Sequence, residues 1–212
     1  MLHFGLECGR RIRILPESEI DDLFSRPTFN DDERLVWFEL NQEEQSLLLS
    51  KKSLTSKIDL IIQLGYFKTK HQFFNFTLED VSEDTSYIMN RFFPGEILTK
   101  TGLSRAQRYR NQSSILKLTQ MTSFDPKNHI PLLLKKSQSL CRVSNDPLFL
   151  FRGFFDFLKA NKITIPGYTT FQERIISNFL HRKNDRLYSG LSLNMSLLER
   201  ELLSGPPHEK NG

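Results

Sequence analysis

Apolar residues recur at helical spacing along most of this chain, and period-two alternation bounded by turn residues hardly occurs. The pattern predicts an all-α protein, a multi-helix, bundle-like array. A first helix is expected from Glu17 to Ser25, with Ile20, Leu23 and Phe24 on one face and Pro27 stopping it. In "FNDDERLVWFEL" Asn30 is placed to cap a second helix and Glu33 to complete a capping box, while Asp31 and Asp32 favour the positive end of the helix dipole. Neighbouring carboxylates in a first helical turn point in different directions, so Asp31 and Asp32 read as helix-start residues rather than a catalytic pair. A short helix near Gln42 to Leu49 follows.

"SLTSKIDLIIQLGYFKTKHQFF" predicts a longer helix ending near Phe67, with Leu54, Ile58, Ile61, Ile62, Leu64 and Tyr66 largely buried. Ser82 or a neighbour should cap the next helix, which Pro94 and Gly95 end. Ser104 is placed to cap a helix reaching about Gln120. Beyond Asp125 and Pro126 a helix is expected around Ile130 to Cys141. Asp146 and Pro147 open a Phe-rich helix over 147–160, and after the connector "NKITIPGYTT" Thr169 or Thr170 should cap another through Leu180. A last helix is expected near Leu191 to Leu203, and "SGPPHEKNG" has the composition of a loop or disordered tail.

Charge changes this picture more than composition does. The chain of 212 residues carries a net charge of +4, but Leu15 to Glu96 holds sixteen acidic and eight basic side chains, net −8. Ile97 to Arg142 holds nine basic side chains against Asp125 alone, net +8. Such segregation points to nucleic acid or an acidic partner, unless the two parts neutralise each other within the fold. Eighteen phenylalanines against one tryptophan make Phe the main aromatic core filler. Cys8 and Cys141 are far apart, the N-terminus lacks the apolar core of a leader, and no stretch approaches a membrane span, so a cytoplasmic protein is expected.

His3, His71, His129, His181 and His208 are scattered, with no second His or Cys at metal-ligand spacing, and the glycines form no phosphate-cradling loop or nucleophile elbow. The expectation is therefore no catalytic residue, no metal, no cofactor and no small-molecule substrate. What remains is "TGLSRAQRYRNQSSIL". On a helical wheel Tyr109 and Leu116 share the packing side with Ala106, Arg105 lies near Tyr109, and Arg108 and Arg110 diverge to the flanks. Arg105, Arg108 and Arg110 suit bidentate contact with phosphate or guanine, and Gln112 contact with adenine. Lys100, Lys117, Lys135 and Lys136 add phosphate contacts.

The runs "VWFELNQEEQSLL", "IDLIIQLGYFKTKHQFF" and "RAQRYRNQSSILKL" resemble the N-terminal domain of transposases of class II replicative transposons, the Tn-three family. The likeness runs from about Ile14 to Leu180, and "QLGYFK" followed by "QFF" is its most specific piece. It implies a helical DNA-binding region with helix-turn-helix-like elements that recognises the terminal inverted repeats of the element. Double-stranded DNA is then the expected partner, and full-length transposase a second one. In that family the metal-dependent strand chemistry belongs to a distant C-terminal domain, so a truncated or remnant transposase without catalytic residues is expected. Divergent segments at 1–13 and 181–212, the latter partly disordered, would flank an acidic helical subdomain over 14–96 and a basic one over 97–180. Two other readings stand beside this one, a helical protein-interaction module and an inert gene fragment.

Overall fold

The computed structural model describes residues 14–99, 102–177 and 179. They form an all-helical protein: α1 (Glu17–Phe24), α2 (Asp31–Trp37), α3 (Gln42–Leu49), α4 (Leu54–Lys70), α5 (Ser82–Phe92), α6 (Arg105–Thr119), α7 (Pro126–Leu140), α8 (Pro147–Ala160) and the short α9 (Tyr168–Thr170). The last of these runs on as π-helix over Phe171–Ser177. Among the described residues there is no sheet, only one isolated bridge between Thr122 and Ile163. The expected helix near Leu191 to Leu203 and the tail after it lie outside the described residues.

Helix starts follow the local chemistry of the caps. Asn30 accepts from the Glu33 backbone at 2.9 Å while Glu33 accepts from the Asn30 amide at 2.9 Å. Asn41 with Glu44 and Ser104 with Gln107 repeat the same reciprocal box at α3 and α6. Asp125 and Asp146 cap α7 and α8, each with proline in the first turn. Three starts differ from expectation. Helix α7 begins at Pro126 rather than near Ile130 and carries Pro131 in its second turn. Val81, which has no capping side chain, precedes α5, and Gly167 rather than a threonine precedes α9.

Helix α4 is the centre of the first core. Every residue from Ile58 to Phe67 is buried, so this helix has no solvent face and is enclosed by α2, α3, α5 and α6. Its partners include Phe29, Phe38, Leu48, Phe76, Ile88 and Ile115. Gly65 lets α2 approach: a Cβ there would lie 2.6 Å from the Phe38 ring and 3.2 Å from the Trp37 carbonyl. A second core gathers Leu15, Leu133, Phe151, Phe154, Phe155 and Phe171, with α1 packed against it through Ile20, Leu23 and Phe24. The cores do not divide where the charge does. Ile115 of the basic α6 belongs to the first, and the acidic α1 to the second.

The two cores are joined around the C-terminal end of α4. The Ile165 amide donates to the His71 carbonyl at 3.0 Å, and Gln72 Nε2 donates to the Leu23 carbonyl at 3.0 Å. Thr122 pairs with the strap after α8 through Thr122 N to Lys162 O at 2.8 Å and Thr164 N to Thr122 O at 2.9 Å.

Several charged and polar groups inside the first core meet partners there, although Gln63 Oε1 and Arg108 Nε are buried without a hydrogen bond. Arg34 on α2 is buried and bonds three carboxylates, Asp84 at 2.8 Å, Glu83 at 2.6 Å and Asp31 at 2.9 Å. Asp84 is itself buried and also accepts from the Tyr66 hydroxyl. Burial and the Asp84 carboxylate push the Tyr66 hydroxyl far above its ordinary pKa. Asp59 on α4 accepts from Asn111 Nδ2 at 2.8 Å. Its removal from water raises its pKa above the ordinary 3.8, outweighing the opposing effects of Asn111 and Arg108.

Two predictions follow from these buried charges. Arg34→Ala strands the Asp84 carboxylate and should cost about 3–5 kcal/mol, whereas Glu83→Gln, at an exposed carboxylate, should cost less than about 1 kcal/mol; urea unfolding of both variants measures the contrast. Because the Asp59 pKa is higher folded than unfolded, the native state holds the proton more tightly. Its contribution is complete below the ordinary carboxylate pKa and is lost as pH rises through the native value. Asp59→Asn should therefore gain stability relative to wild type as pH rises from about 4 toward neutrality, and parallel unfolding curves over that range would contradict this.

Candidate nucleic-acid interface

Helix α6 is the most basic helix start in the described chain, and its rotation about its own axis decides which cations reach solvent. The residues turned toward α4 are Arg108, Asn111 and Ile115, at spacings of three and four. Asn111 is 1% exposed and donates to the Ser56 carbonyl at 3.0 Å as well as to Asp59, while the Ser56 hydroxyl donates back to Asn111 Oδ1 at 3.3 Å. This polar clasp, with Ile115 below it, fixes the helix against α4.

The expected packing side is thereby corrected. Tyr109 is 69% exposed and Ala106 is also exposed; only Leu116 of that trio packs against the core. Apolar character was a poor guide because the helix docks through an amide and a guanidinium. Arg108 is turned inward: its Nη2 donates to the Phe76 carbonyl at 2.7 Å, its Nε lies 4.0 Å from Asp59 Oδ1, and its guanidinium sits over the Phe76 ring. An arginine held this way is part of the joint between α6 and α4.

Arg105, Arg110 and Lys117 are exposed, and Gln112 is half-buried at the border of the docked face. No acidic residue occurs on α6. Lys135 and Lys136 ride on α7, which packs against α8 in the second core; Lys135 is exposed and Lys136 half-buried. Lys100 lies outside the described residues.

The structure adds two lysines that the sequence reading missed. The turn between α3 and α4, residues 50–53, lies against α6, and Lys51 Nζ donates to Ser114 Oγ at 3.1 Å. Between turn and helix runs a cleft of ≈ 430 Å³, lined by Lys51, Lys52, Ser53 and Ser56 on one side and Gln107, Arg110 and Asn111 on the other. No carboxylate lines it. Burial, and then the charge of Arg110, push the Lys51 ammonium below its ordinary pKa. In sequence these lysines sit inside the net-acidic part, where regional charge conceals them; the local signal was "SKKS" ahead of a helix with no acid in its first turn. A neighbouring hollow between α3 and α6 is mixed in charge, because Lys117 shares it with Glu43.

Helix-turn-helix geometry needs a connection of about three or four residues. Residues 93–104 separate α5 from α6, so the basic helix is not the second member of such a unit. Four-residue turns instead join α2 to α3 and α3 to α4, at residues 38–41 and 50–53, and the second of them forms the cleft wall.

Among the described residues no three His, Cys, Asp or Glu side chains come together in a way that could hold a metal ion. No described helix is long and apolar enough to cross a membrane. Neither a curated protein nor a solved structure matches the chain. Residues 14–178 match a family described as a domain of unknown function, DUF4158, and the chain belongs to that family.

Proposed function

We propose that this chain is a duplex-DNA-binding helical module, and that it serves as the end-recognition region of a transposase of the Tn-three type. One observation supports the reading above the others: α6 is clamped to the core through Arg108, Asn111 and Ile115, which leaves Arg105, Arg110 and Lys117 outward on a helix without acids. Lys51 and Lys52 extend that basic surface. Exposed Tyr109, beside the arginines, adds a flat aromatic contact. In this reading Arg105 and Arg110 contact bases or phosphates, Gln112 lies at the edge of the contact, and Lys117 positions the backbone. The resemblance carried by "QLGYFK" and "QFF" supplies the terminal inverted repeats as target. The module performs no strand chemistry of its own in this reading, and Lys100, Lys135 and Lys136 would contribute phosphate contacts.

An assembly reading has its own support. Leu35 and Val36, 50% and 62% exposed, leave apolar surface on α2. A partner chain such as full-length transposase would cover it, and a mixed oligomer formed without DNA would favour this reading.

Binding to labelled terminal-repeat duplex and to random duplex across a salt series tests the first reading. Affinity should fall as salt rises, with a logarithmic slope of about −0.9 for each phosphate contact, and should favour the repeat. Salt-independent affinity, or equal affinity for both duplexes, would count against it. Arg105→Ala should weaken binding with the fold intact. Arg108→Ala should instead lower stability by about 1–3 kcal/mol, because it leaves the Phe76 carbonyl and Asp59 without their guanidinium partner.

A further inference from the structure

We infer that the cleft between the α3–α4 turn and α6 is a phosphate-binding pocket, in which Lys51, Lys52 and Arg110 converge on one phosphate beside the N-terminal end of α4. The inference takes its source of phosphate, the duplex backbone, from the DNA-binding reading. The pocket chemistry stands on the cleft itself.

Three cationic side chains from two elements line one concavity, and among the described residues none of them forms an ion pair. The nearest buried carboxylate, Asp59, is held on the far side of Asn111 by its bond to that amide and by Arg108, so it does not neutralise them. Lys51 is half-buried beside the exposed Lys52 and Arg110, and no carboxylate lines the cleft to offset the repulsion among these like charges. An anion would. Burial, and after it the charge of Arg110, push the Lys51 ammonium below its ordinary pKa, in keeping with a cleft that holds no carboxylate.

The rest of the lining suits an anion such as phosphate. Ser53 caps a 17-residue helix whose first turn contains no acid, so the positive end of the α4 dipole adds to the three cations. Ser53 and Gln107 add hydroxyl and amide groups at the wall, and Lys51 is tethered to Ser114, which limits its search for the anion. A volume of ≈ 430 Å³ lies in the range of small-ligand clefts and leaves room beside one phosphate for its ester groups.

The test uses the full chain and two probes. Inorganic phosphate is titrated at constant ionic strength against chloride while the Lys51 side-chain nitrogen or Cε is followed by NMR, and thermal unfolding is recorded in parallel. Phosphate should raise the Lys51 pKa and raise Tm more in wild type than in Arg110→Gln or Lys52→Gln. Lys127→Gln, an exposed lysine on α7, should respond as wild type does and so corrects for the general salting effect of phosphate. Without phosphate, Arg110→Gln should unfold at the same or a higher temperature than wild type, the opposite of losing a structural arginine. An equal phosphate response in wild type and both variants overturns the pocket. In the second arm each variant should lower the magnitude of the duplex salt slope by about one unit. Duplex binding whose slope neither variant changes overturns the pocket and leaves the DNA reading standing. A phosphate response without duplex binding supports the pocket, with free phosphate as its ligand, and overturns the DNA reading.

Discussion

A helix buried on every face must place its polar side chains against its neighbours, and the rest of the first core is arranged around that constraint on α4. Asp59, Gln63, Thr55 and Ser56 are all buried on it, alongside the expected isoleucines and leucines. Gln63 donates to the Phe74 carbonyl at 2.8 Å, which draws the segment after α4 back across the helix. Tyr66 reaches Asp84 on α5, and Asp84 in turn holds Arg34 on α2. Each polar group therefore specifies where one neighbour sits. The apolar side chains supply most of the burial free energy but little of this directional information.

The same constraint sets the chemistry of α6. Asp59 needs a donor in a place water does not reach, Asn111 supplies it, and the helix rotates to bring the amide inward. Once Asn111 and Ile115 face α4, a 3.6-residue period carries Arg108 inward and turns Arg110 and Lys117 out. Three arginines within six positions thus divide between a joint and a surface. Gly65 acts at a different point of α4: by admitting the Phe38 ring it seats α2, and Arg34 with it, against the helix.

How much of this was legible in the sequence depends on range. Asn30, Ser104 and Asp146 mark helix starts because a cap acts within four residues, and those three starts are where the residues imply them, whereas Asp125 caps α7 one turn before its expected start. The buried row of α4 was legible from its spacing. The docked face of α6 was not, because a wheel assigns polar residues to solvent while here a buried carboxylate fifty-two positions earlier selects Asn111. Lys51 and Lys52 were hidden for a related reason: their partner in the cleft, Arg110, lies in the oppositely charged part of the chain. The "QLGYFK" and "QFF" runs, on which the resemblance rests, have side chains that are occupied in the fold. Gln63, Gly65 and Tyr66 do what is described above, Lys68 bonds Glu44 at 3.0 Å, and Gln72 bonds the Leu23 carbonyl.

That distribution of work bears on the charge segregation. If acidic and basic parts existed to neutralise each other, the basic helix should dock through its cations onto the acids of the first part. Arg108 does reach Asp59, at 4.0 Å. Other ion-paired acids of that part are held elsewhere: Asp31, Glu83 and Asp84 by Arg34, Glu44 by Lys68 and Asp22 by Lys70, bases of the same net-acidic part, and Glu19 by Arg152 on α8. Arg110 meets two lysines instead of a carboxylate. Intramolecular neutralisation thus accounts for one arginine of α6, and it leaves the outward cations of that helix unexplained by the fold. A surface that keeps like charges together against their mutual repulsion is the arrangement a polyanionic partner would relieve.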